Sequence, residues 1–394
     1  MNKIAIVSAY RTAVASFGGK LSKENPIKIG SEIVKTALKK INLSPKLVDE
    51  VIFGNVLSGG LGQNISRQIL ISSGIPEEKS AFTVNKVCGS GLKSVTLGAQ
   101  SIMTGENDIV VCGGIEFMSQ APYLNKKARF GNKLGSFELT DSIICDGLTD
   151  AFNNYHMGIT AENIAKKYNI TREEADIFAL NSQKKACEAI KKGKFKEEIV
   201  PIEIKVAKKI ETFDTDEYPR ENTNLQSLAK LKPAFSKEGI VTAGNSSGIN
   251  DGVACVILMS DKKAKELNIK PLAYIEGFSS AGLTPSLMGL GPVYSTKKLL
   301  KKQNIDIKDI DLFELNEAFA TQSLAVIKEL KIDEKKVNVN GGAIAIGHPI
   351  GASGSRILVT LIHELKKQNK KLALASLCIG GGQGMSLLIS NNIE

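Results

Sequence analysis

The chain repeats itself, and the repeat limits the possible folds more than any other feature. Leu38-Lys39-Lys40-Ile41-Asn42, followed by Asp49-Glu50-Val51-Ile52-Phe53, resembles Leu300-Lys301-Lys302-Gln303-Asn304, followed by Asp311-Leu312-Phe313-Glu314-Leu315. Val84-Asn85, ahead of a Gly-bearing turn, is echoed by Val339-Asn340 ahead of a second Gly-rich turn and helix. The run Ile109-Val110-Val111-Cys112-Gly113-Gly114 is echoed by Leu374-Ala375-Ser376-Leu377-Cys378-Ile379-Gly380-Gly381. The elements come in the same order in both halves. Two copies of one unit, related by a pseudo-twofold axis, account for this. Each copy alternates apolar strands with amphipathic helices: a strand over 3–9, a helix over 27–40, strands over 50–55 and 108–113. That alternation predicts an α/β fold, a sheet covered by helices.

Between the copies, residues 120–250 are polar and irregular. The spacing predicts helices over 160–168, with Thr160 as N-cap, and over 172–191, where Thr171 and Glu174 form a capping box. An insertion this long on an α/β core is expected to be a lid or binding region. A strand over 252–259 then returns to the core.

Composition narrows the function. With 394 residues, 42% of them apolar, the chain can bury a large core. No run of 18 apolar residues exists, so no membrane span is expected. A strand begins at once at the N-terminus, and Ser390-Asn391-Asn392-Ile393-Glu394 carries no retention or peroxisomal tripeptide; a cytoplasmic protein is the expectation. The net charge is +10. The lysines lie along helix faces, Trp is absent and no nucleic-acid motif is visible, so a polyanionic small molecule is a better expectation than nucleic acid. The six cysteines are scattered without metal-ligand or disulfide spacing, so no metal is expected.

Four stretches carry chemistry. Thr83-Val84-Asn85-Lys86-Val87-Cys88-Gly89-Ser90-Gly91 places Cys88 on a tight turn before a helix, where the helix dipole favours thiolate; the alternative is a buried, inert thiol. Gly347-His348-Pro349 places a histidine on a stiff, glycine-rich loop before a helix over 353–365, as a general base or a structural loop residue. Cys378-Ile379-Gly380-Gly381-Gly382 sets a thiol beside exposed backbone N–H groups, an anion nest or oxyanion hole, or else a strand-end packing residue. Asn316 in Leu315-Asn316-Glu317-Ala318-Phe319-Ala320 is either the N-cap of the next helix or a group that orients water or polarises a carbonyl. All four lie at strand ends, so they can converge. Cys112, Cys145, Cys187 and Cys255 read as packing residues, and His363 as a surface residue.

These stretches, with Gly341-Gly342-Ala343-Ile344-Ala345-Ile346-Gly347-His348-Pro349-Ile350-Gly351-Ala352-Ser353-Gly354, resemble the thiolase family, and within it the short-chain biosynthetic type, acetyl-CoA C-acetyltransferase. The resemblance covers the whole chain. It implies a five-layered αβαβα core with an inserted loop domain: one half from 1–120 and 250–270, the loop domain over 121–249, the other half over 271–394. It implies reversible condensation of two acetyl-CoA to acetoacetyl-CoA and coenzyme A. Cys88 would carry the acetyl group, His348 take its proton, and Cys378 deprotonate the second acetyl-CoA. Asn316, through a water, and His348 would stabilise the enolate, and the N–H groups of Cys88 and Gly380 the tetrahedral oxyanion. Coenzyme A thioesters are substrates, and no further cofactor is implied.

Coenzyme A contacts carried over from the family are Leu148, His156, Met157, Arg220 and Ser227, then Ala234, Phe235, Ala243 and Ser247, and further on Met288 and Phe319. Arg220 would meet the adenosine moiety, and the lysines around 205–232 would favour a polyanion. The two methionines would narrow the acyl pocket to acetyl and acetoacetyl groups. A homotetramer is expected, with 123–135 as its contact. Rival expectations are a degradative 3-ketoacyl-CoA thiolase of broader chain length, a β-ketoacyl synthase-like enzyme and a catalytically inert coenzyme A-binding protein.

Overall fold

The computed structural model describes residues 3–206 and 209–391. Lys208, in the lysine-rich stretch, and the terminal Asn392-Ile393-Glu394 lie outside the described residues. The first half comprises β1 (Ile4–Arg11), α1 (Pro26–Lys40), β2 (Glu50–Gly54), α2 (Ile65–Ser72), β3 (Ser80–Val84), α3 (Ser90–Thr104) and β4 (Ile109–Phe117). Helices α4 (Met157–Tyr168) and α5 (Arg172–Lys191) belong to the insertion, and β5 (Asn250–Ser260) returns to the core. The second half comprises β6 (Ala273–Gly282), α6 (Gly291–Gln303), β7 (Leu312–Leu315), α7 (Ala320–Leu330), α8 (Ser353–Lys367), β8 (Leu372–Ile379) and β9 (Gln383–Ser390).

The strands run in the order β7-β8-β9-β6-β1-β5-β4-β2-β3. Read outward from the β1–β6 seam, the two halves match. On one side come β5, β4, β2 and β3; on the other β9, β8 and β7, after which Val337 bridges Phe313. The seam itself is short, pairing Ile4 with Ile275 and Ile6 with Ala273. The repeat read from sequence persists at single bonds. Asp49 Oδ2 accepts from the N–H groups of Asp108 and Ile109, and Asp311 Oδ2 accepts from those of Lys371 and Leu372. Asn42 and Asn304, the equivalent ends of α1 and α6, both sit in the left-handed region, at φ 52° and 54°. Asparagine tolerates that conformation and so stops each helix.

Strand alternation separates the layers. In β5, Ala254, Val256 and Leu258 face the inner cluster, while Val253, Cys255, Ile257 and Met259 face the outer one under α1. The inner cluster is filled by Leu92, Val95 and Ala99 of α3 and by Ile357, Leu358 and Leu361 of α8, with β8 and β9 closing its far side. A third cluster lies under α6 and α7, built from Leu299, Phe313, Val326 and Leu374. Three apolar interiors with a shared α3/α8 layer make the expected five-layered αβαβα arrangement. Each fully buried Leu or Ile contributes about 1.5–3 kcal/mol of transfer free energy.

Two local expectations fail. Helix α4 begins at Met157, not Thr160; His156 is its N-cap and its Nδ1 accepts from Gly158 N–H at 3.0 Å. Thr160 sits inside the helix, its hydroxyl donating to Met157 O. The capping box at Thr171 and Glu174 is present as read. His363 is half-buried, bonded through Nε2 to Ala9 O at 2.9 Å, because its face of α8 packs on β1. Among the described residues no helix is long and apolar enough to cross a membrane.

Candidate active site

Strand β3 delivers the chain to a strained turn. Asn85 Oδ1 accepts from Val87 N–H at 2.9 Å, and Val87 adopts φ 48°. A β-branched residue there costs about 1–3 kcal/mol. Ser90 offsets the strain from the helix side: its Oγ accepts from Lys86 N–H at 2.8 Å and donates to Val87 O at 2.6 Å. Gly89 lets the turn lie close to β8: a Cβ there would come 2.5 Å from Ile379 Cδ1 and force that side chain to move. The turn thus presents Cys88 at the start of α3, pressed against the end of β8.

The expectation of a helix-stabilised thiolate does not hold at rest. Burial pushes the Cys88 thiol up to about 11, against the opposing pull of N–H groups from Gly380 and Cys88 itself; Glu116 adds to the rise. Desolvation outweighs the helix terminus here. The same N–H pair faces the sulfur, where an oxyanion would form on a carbonyl carbon bonded to it.

His348 follows Gly347, which is held at φ 115°, and is buried. Three bonds hold it. Its N–H donates to Asn250 Oδ1 at 2.9 Å, Nδ1 pairs with Ser353 Oγ at 2.5 Å, and Nε2 stands 3.4 Å from Asn316 Nδ2. Ser353 already donates its hydroxyl proton to Pro349 O at 2.9 Å, so Nδ1 carries the imidazole proton and Nε2 is left as the acceptor. Burial, then the charge of Arg356, lowers the imidazole to about 3. A neutral thiol therefore shares the site with a neutral base.

Cys378 ends β8, opposite Gly384 of β9, and is fully buried. Burial and then Cys88 push its thiol well up. Asn316 is not an N-cap: α7 starts at Ala320 behind Phe319, which offers no side-chain cap. Its backbone N–H instead donates to Ser376 O at 3.0 Å, drawing the residue toward β8, and its Oδ1 has no protein partner.

One cavity of ≈ 350 Å³ is lined by Cys88, His348, Cys378 and Gly380 together with Leu148, His156, Met157, Ala234, Phe235, Ala243, Ser247, Met288 and Phe319. His156 stacks on Phe235, ring centroids 4.6 Å apart, and Phe235 meets Phe319 edge-on at 6.2 Å. Met157 and Met288 pack in one cluster with Cys378, Ala318 and Phe319. A second cavity of ≈ 360 Å³ holds Arg220 and Ser227 and shares Tyr218 and Ala243 with the first. Arg220 is exposed, its guanidinium 5.5 Å from the Tyr218 ring, while the Ser227 hydroxyl is engaged with Asn224. Among the described residues no group of three or more His, Cys, Asp or Glu could hold a metal.

The reading of four packing cysteines is half right. Cys112 and Cys255 are fully buried; Cys145 and Cys187 are partly exposed, and the Cys145 thiol donates to Asp146 at 3.1 Å. The sequence reading missed Tyr218, Ile350 and Met118 in the cavity wall, and Ser353, Asn250 and Glu116 behind it. Glu116 did carry a signal, as the one acid in an otherwise apolar strand.

This fold and this site define a thiolase. Residues 4–262 match the family "Thiolase, N-terminal domain" and residues 269–391 match "Thiolase, C-terminal domain", so the chain belongs to the thiolase family, acyl-transferring enzymes that work on coenzyme A thioesters. It is 54% identical over 391 residues to a "Probable acetyl-CoA acyltransferase" of Staphylococcus aureus strain COL, covering 99% of each chain. It superposes on the crystal structure of the Bacillus anthracis acetyl-CoA acetyltransferase with a TM-score of 0.97 at 44% identity, covering 99% of each chain. The human mitochondrial 3-ketoacyl-CoA thiolase superposes with the same TM-score, 0.97, at 45% identity, over 100% of this chain and 99% of that one.

Proposed function

We propose that the protein condenses two acetyl-CoA to acetoacetyl-CoA and coenzyme A, reversibly, through an acetyl-Cys88 intermediate. The observation that carries this reading is the convergence of Cys88, His348 and Cys378 on one cavity, where Met157 and Met288 pack beside Cys378. On this reading the two methionines limit the acyl group to acetyl and acetoacetyl. The comparisons reach an acetyl-CoA acetyltransferase and a 3-ketoacyl-CoA thiolase equally well, so the choice rests on the pocket.

In the first half-reaction His348 Nε2 takes the Cys88 proton as sulfur attacks acetyl-CoA. The carbon–sulfur bond to coenzyme A breaks, and Cys378 protonates the departing thiolate. Cys378 is left as a thiolate whose high basicity suits the next task, removing a proton from the methyl of the second acetyl-CoA. The charged His348, and Asn316 through a water, stabilise the enolate oxygen. Its carbon attacks acetyl-Cys88, and the Cys88 thiolate leaves and recovers its proton from His348. The Cys88 and Gly380 N–H groups stabilise the tetrahedral intermediates, each worth about 3 kcal/mol of barrier.

The second cavity, with Arg220, takes the adenosine end of coenzyme A, and the insertion over 121–249 supplies most of the coenzyme A-binding surface. A cytoplasmic homotetramer completes the reading. Mass spectrometry after incubation with acetyl-CoA is the direct test: an acetyl adduct on Cys88 is expected, and its absence would overturn the proposal. Faster thiolysis of C16 than of C4 ketoacyl-CoA would favour the degradative reading instead.

A further inference from the structure

Behind the cavity, a buried carboxylate from the first half grips the loop that carries His348. Glu116 sits near the end of β4 and is fully buried. Its Oε1 accepts from Asn55 Nδ2 at 2.9 Å and Leu57 N–H at 3.1 Å. Its Oε2 accepts from Val56 N–H at 3.0 Å and Gly351 N–H at 2.9 Å. The first three donors belong to the segment leaving β2; Gly351 lies three residues past His348, in the second half. The carboxylate therefore spans the two halves at the point where the cysteine turn and the histidine loop meet.

We propose that Glu116 is a positioning residue: it sets where His348 stands relative to Cys88. The proposal rests on the reading of Cys88 and His348 as nucleophile and base.

Three observations carry it. First, the groups on Glu116 are all donors, two to each oxygen, an arrangement that an ionised carboxylate satisfies in full. Burial raises the carboxyl to about 7, and the N–H groups of Leu57, Val56 and Gly351 pull against that rise, so the clamp itself favours the ionised form. A carboxamide would turn an NH2 group toward two N–H groups. Second, the fit on the loop side is tight. A Cβ at Gly351 would lie 2.5 Å from Glu116 Oε2 and 3.0 Å from Asn55 Cα, so only glycine lets the loop come this close. Third, the loop is held at its other end by the neighbouring strand. Asn250 of β5 accepts from His348 N–H at 2.9 Å and donates to Ala15 O at 3.0 Å. Gly252 of β5 is the direct partner of Glu116 on β4. Two buried side chains on adjacent strands thus hold the backbone N–H groups of residues 348 and 351, and so the backbone that carries the imidazole. The apolar packing around Val56, Leu57, Ile143 and Ile350, against which Cys88 lies, is bound into the same clamp.

The test is steady-state thiolysis of acetoacetyl-CoA by the full chain, with acetylation of Cys88 followed by mass spectrometry. In Glu116→Gln, kcat is expected to fall by about 100-fold, the effect of a misplacement near 1 Å. KM should stay within about twofold, since the coenzyme A contacts are untouched. Gly351→Ala, which forces the loop off the carboxylate, should show the same split. Where Glu116→Gln does not accumulate as folded protein, Gly351→Ala carries the test alone. A folded Glu116→Gln or Gly351→Ala enzyme with wild-type kcat, or a loss expressed in KM, would overturn the positioning role. Absence of an acetyl adduct in the wild-type chain would instead overturn the reading beneath it.

Discussion

Ser353 Oγ stands 2.5 Å from His348 Nδ1 and passes its own proton to Pro349 O at 2.9 Å, so one hydroxyl decides which imidazole nitrogen is basic. The arrangement is economical: Ser353 opens α8, and the helix that fills the centre of the molecule also orients the base at its edge.

Removing that hydroxyl should cost rate rather than affinity. In Ser353→Ala, Nδ1 loses its acceptor, and the tautomer with a bare Nε2 is no longer favoured. Partners that orient a histidine are worth about 10- to 100-fold when removed. The expected outcome is a fall of that size in the rate of Cys88 acetylation, read in a single-turnover experiment, with KM for acetyl-CoA unchanged. An acetylation rate equal to wild type would show that the loop alone orients the ring.

The thiol and imidazole should be neutral together at physiological pH. Cys88 is raised to about 11 by burial, and His348 is lowered to about 3 by burial and Arg356. The sign follows directly. Below the thiol pKa only a small fraction is thiolate, and that fraction grows about tenfold per pH unit. Alkylation by iodoacetamide should therefore climb steadily from neutral pH and level off only near the raised value. A plateau reaching down into the acid range would reveal a resting thiolate–imidazolium pair and contradict this assignment. In His348→Ala the climb should persist, because the base is not what holds the resting thiol protonated.

Much of this was legible in the chain because repeats and glycine-rich junctions leave local marks. The doubled Asp49 and Asp311, the doubled Asn42 and Asn304, and the four strand-end motifs each follow from short-range chemistry. What the sequence hid depends on partners far along the chain. The Cys88 thiol looked activated from its place before a helix, whereas its protonation is governed by burial that only the β8 contact supplies. Asn316 looked like an N-cap, but Ser376 draws its backbone away and α7 starts later. Glu116 reaches Gly351 across 235 positions, and no periodicity announces that.

Chain-length selection should lie with the two methionines. Met157 and Met288 are buried with Cys378 in one cluster, beside the thiol that the proposed reaction uses. Met288→Ala should raise kcat/KM for C6 and C8 ketoacyl-CoA relative to C4 by about tenfold or more, since each accommodated methylene is worth about 1–3 kcal/mol. The same change leaves a cavity in the free enzyme and should cost about 2–5 kcal/mol of stability. Comparison of rates on the three substrates, together with a thermal melt, checks both. An unchanged C4 to C8 ratio would place the limit elsewhere.

The segment after β4 bears apolar side chains that a lone subunit leaves in water. Phe130 is 89% exposed and Leu134 96%, and Phe137, Leu139 and Tyr123 are more than half exposed at 60%, 58% and 64%. An exposed apolar patch of this kind marks a contact surface. The short hairpin that pairs Tyr123 with Asp141 projects the segment from the core without involving the cavity. Phe130→Ser with Leu134→Ser should therefore halve the proposed tetramer to a dimer in light scattering, while Cys88 still acquires its acetyl group. Apolar burial of two such side chains is worth about 3–6 kcal/mol per copy, enough to decide between the two states at micromolar concentration. A tetramer that survives the double change would move the contact to another face, and a wild-type monomer would remove the need for one.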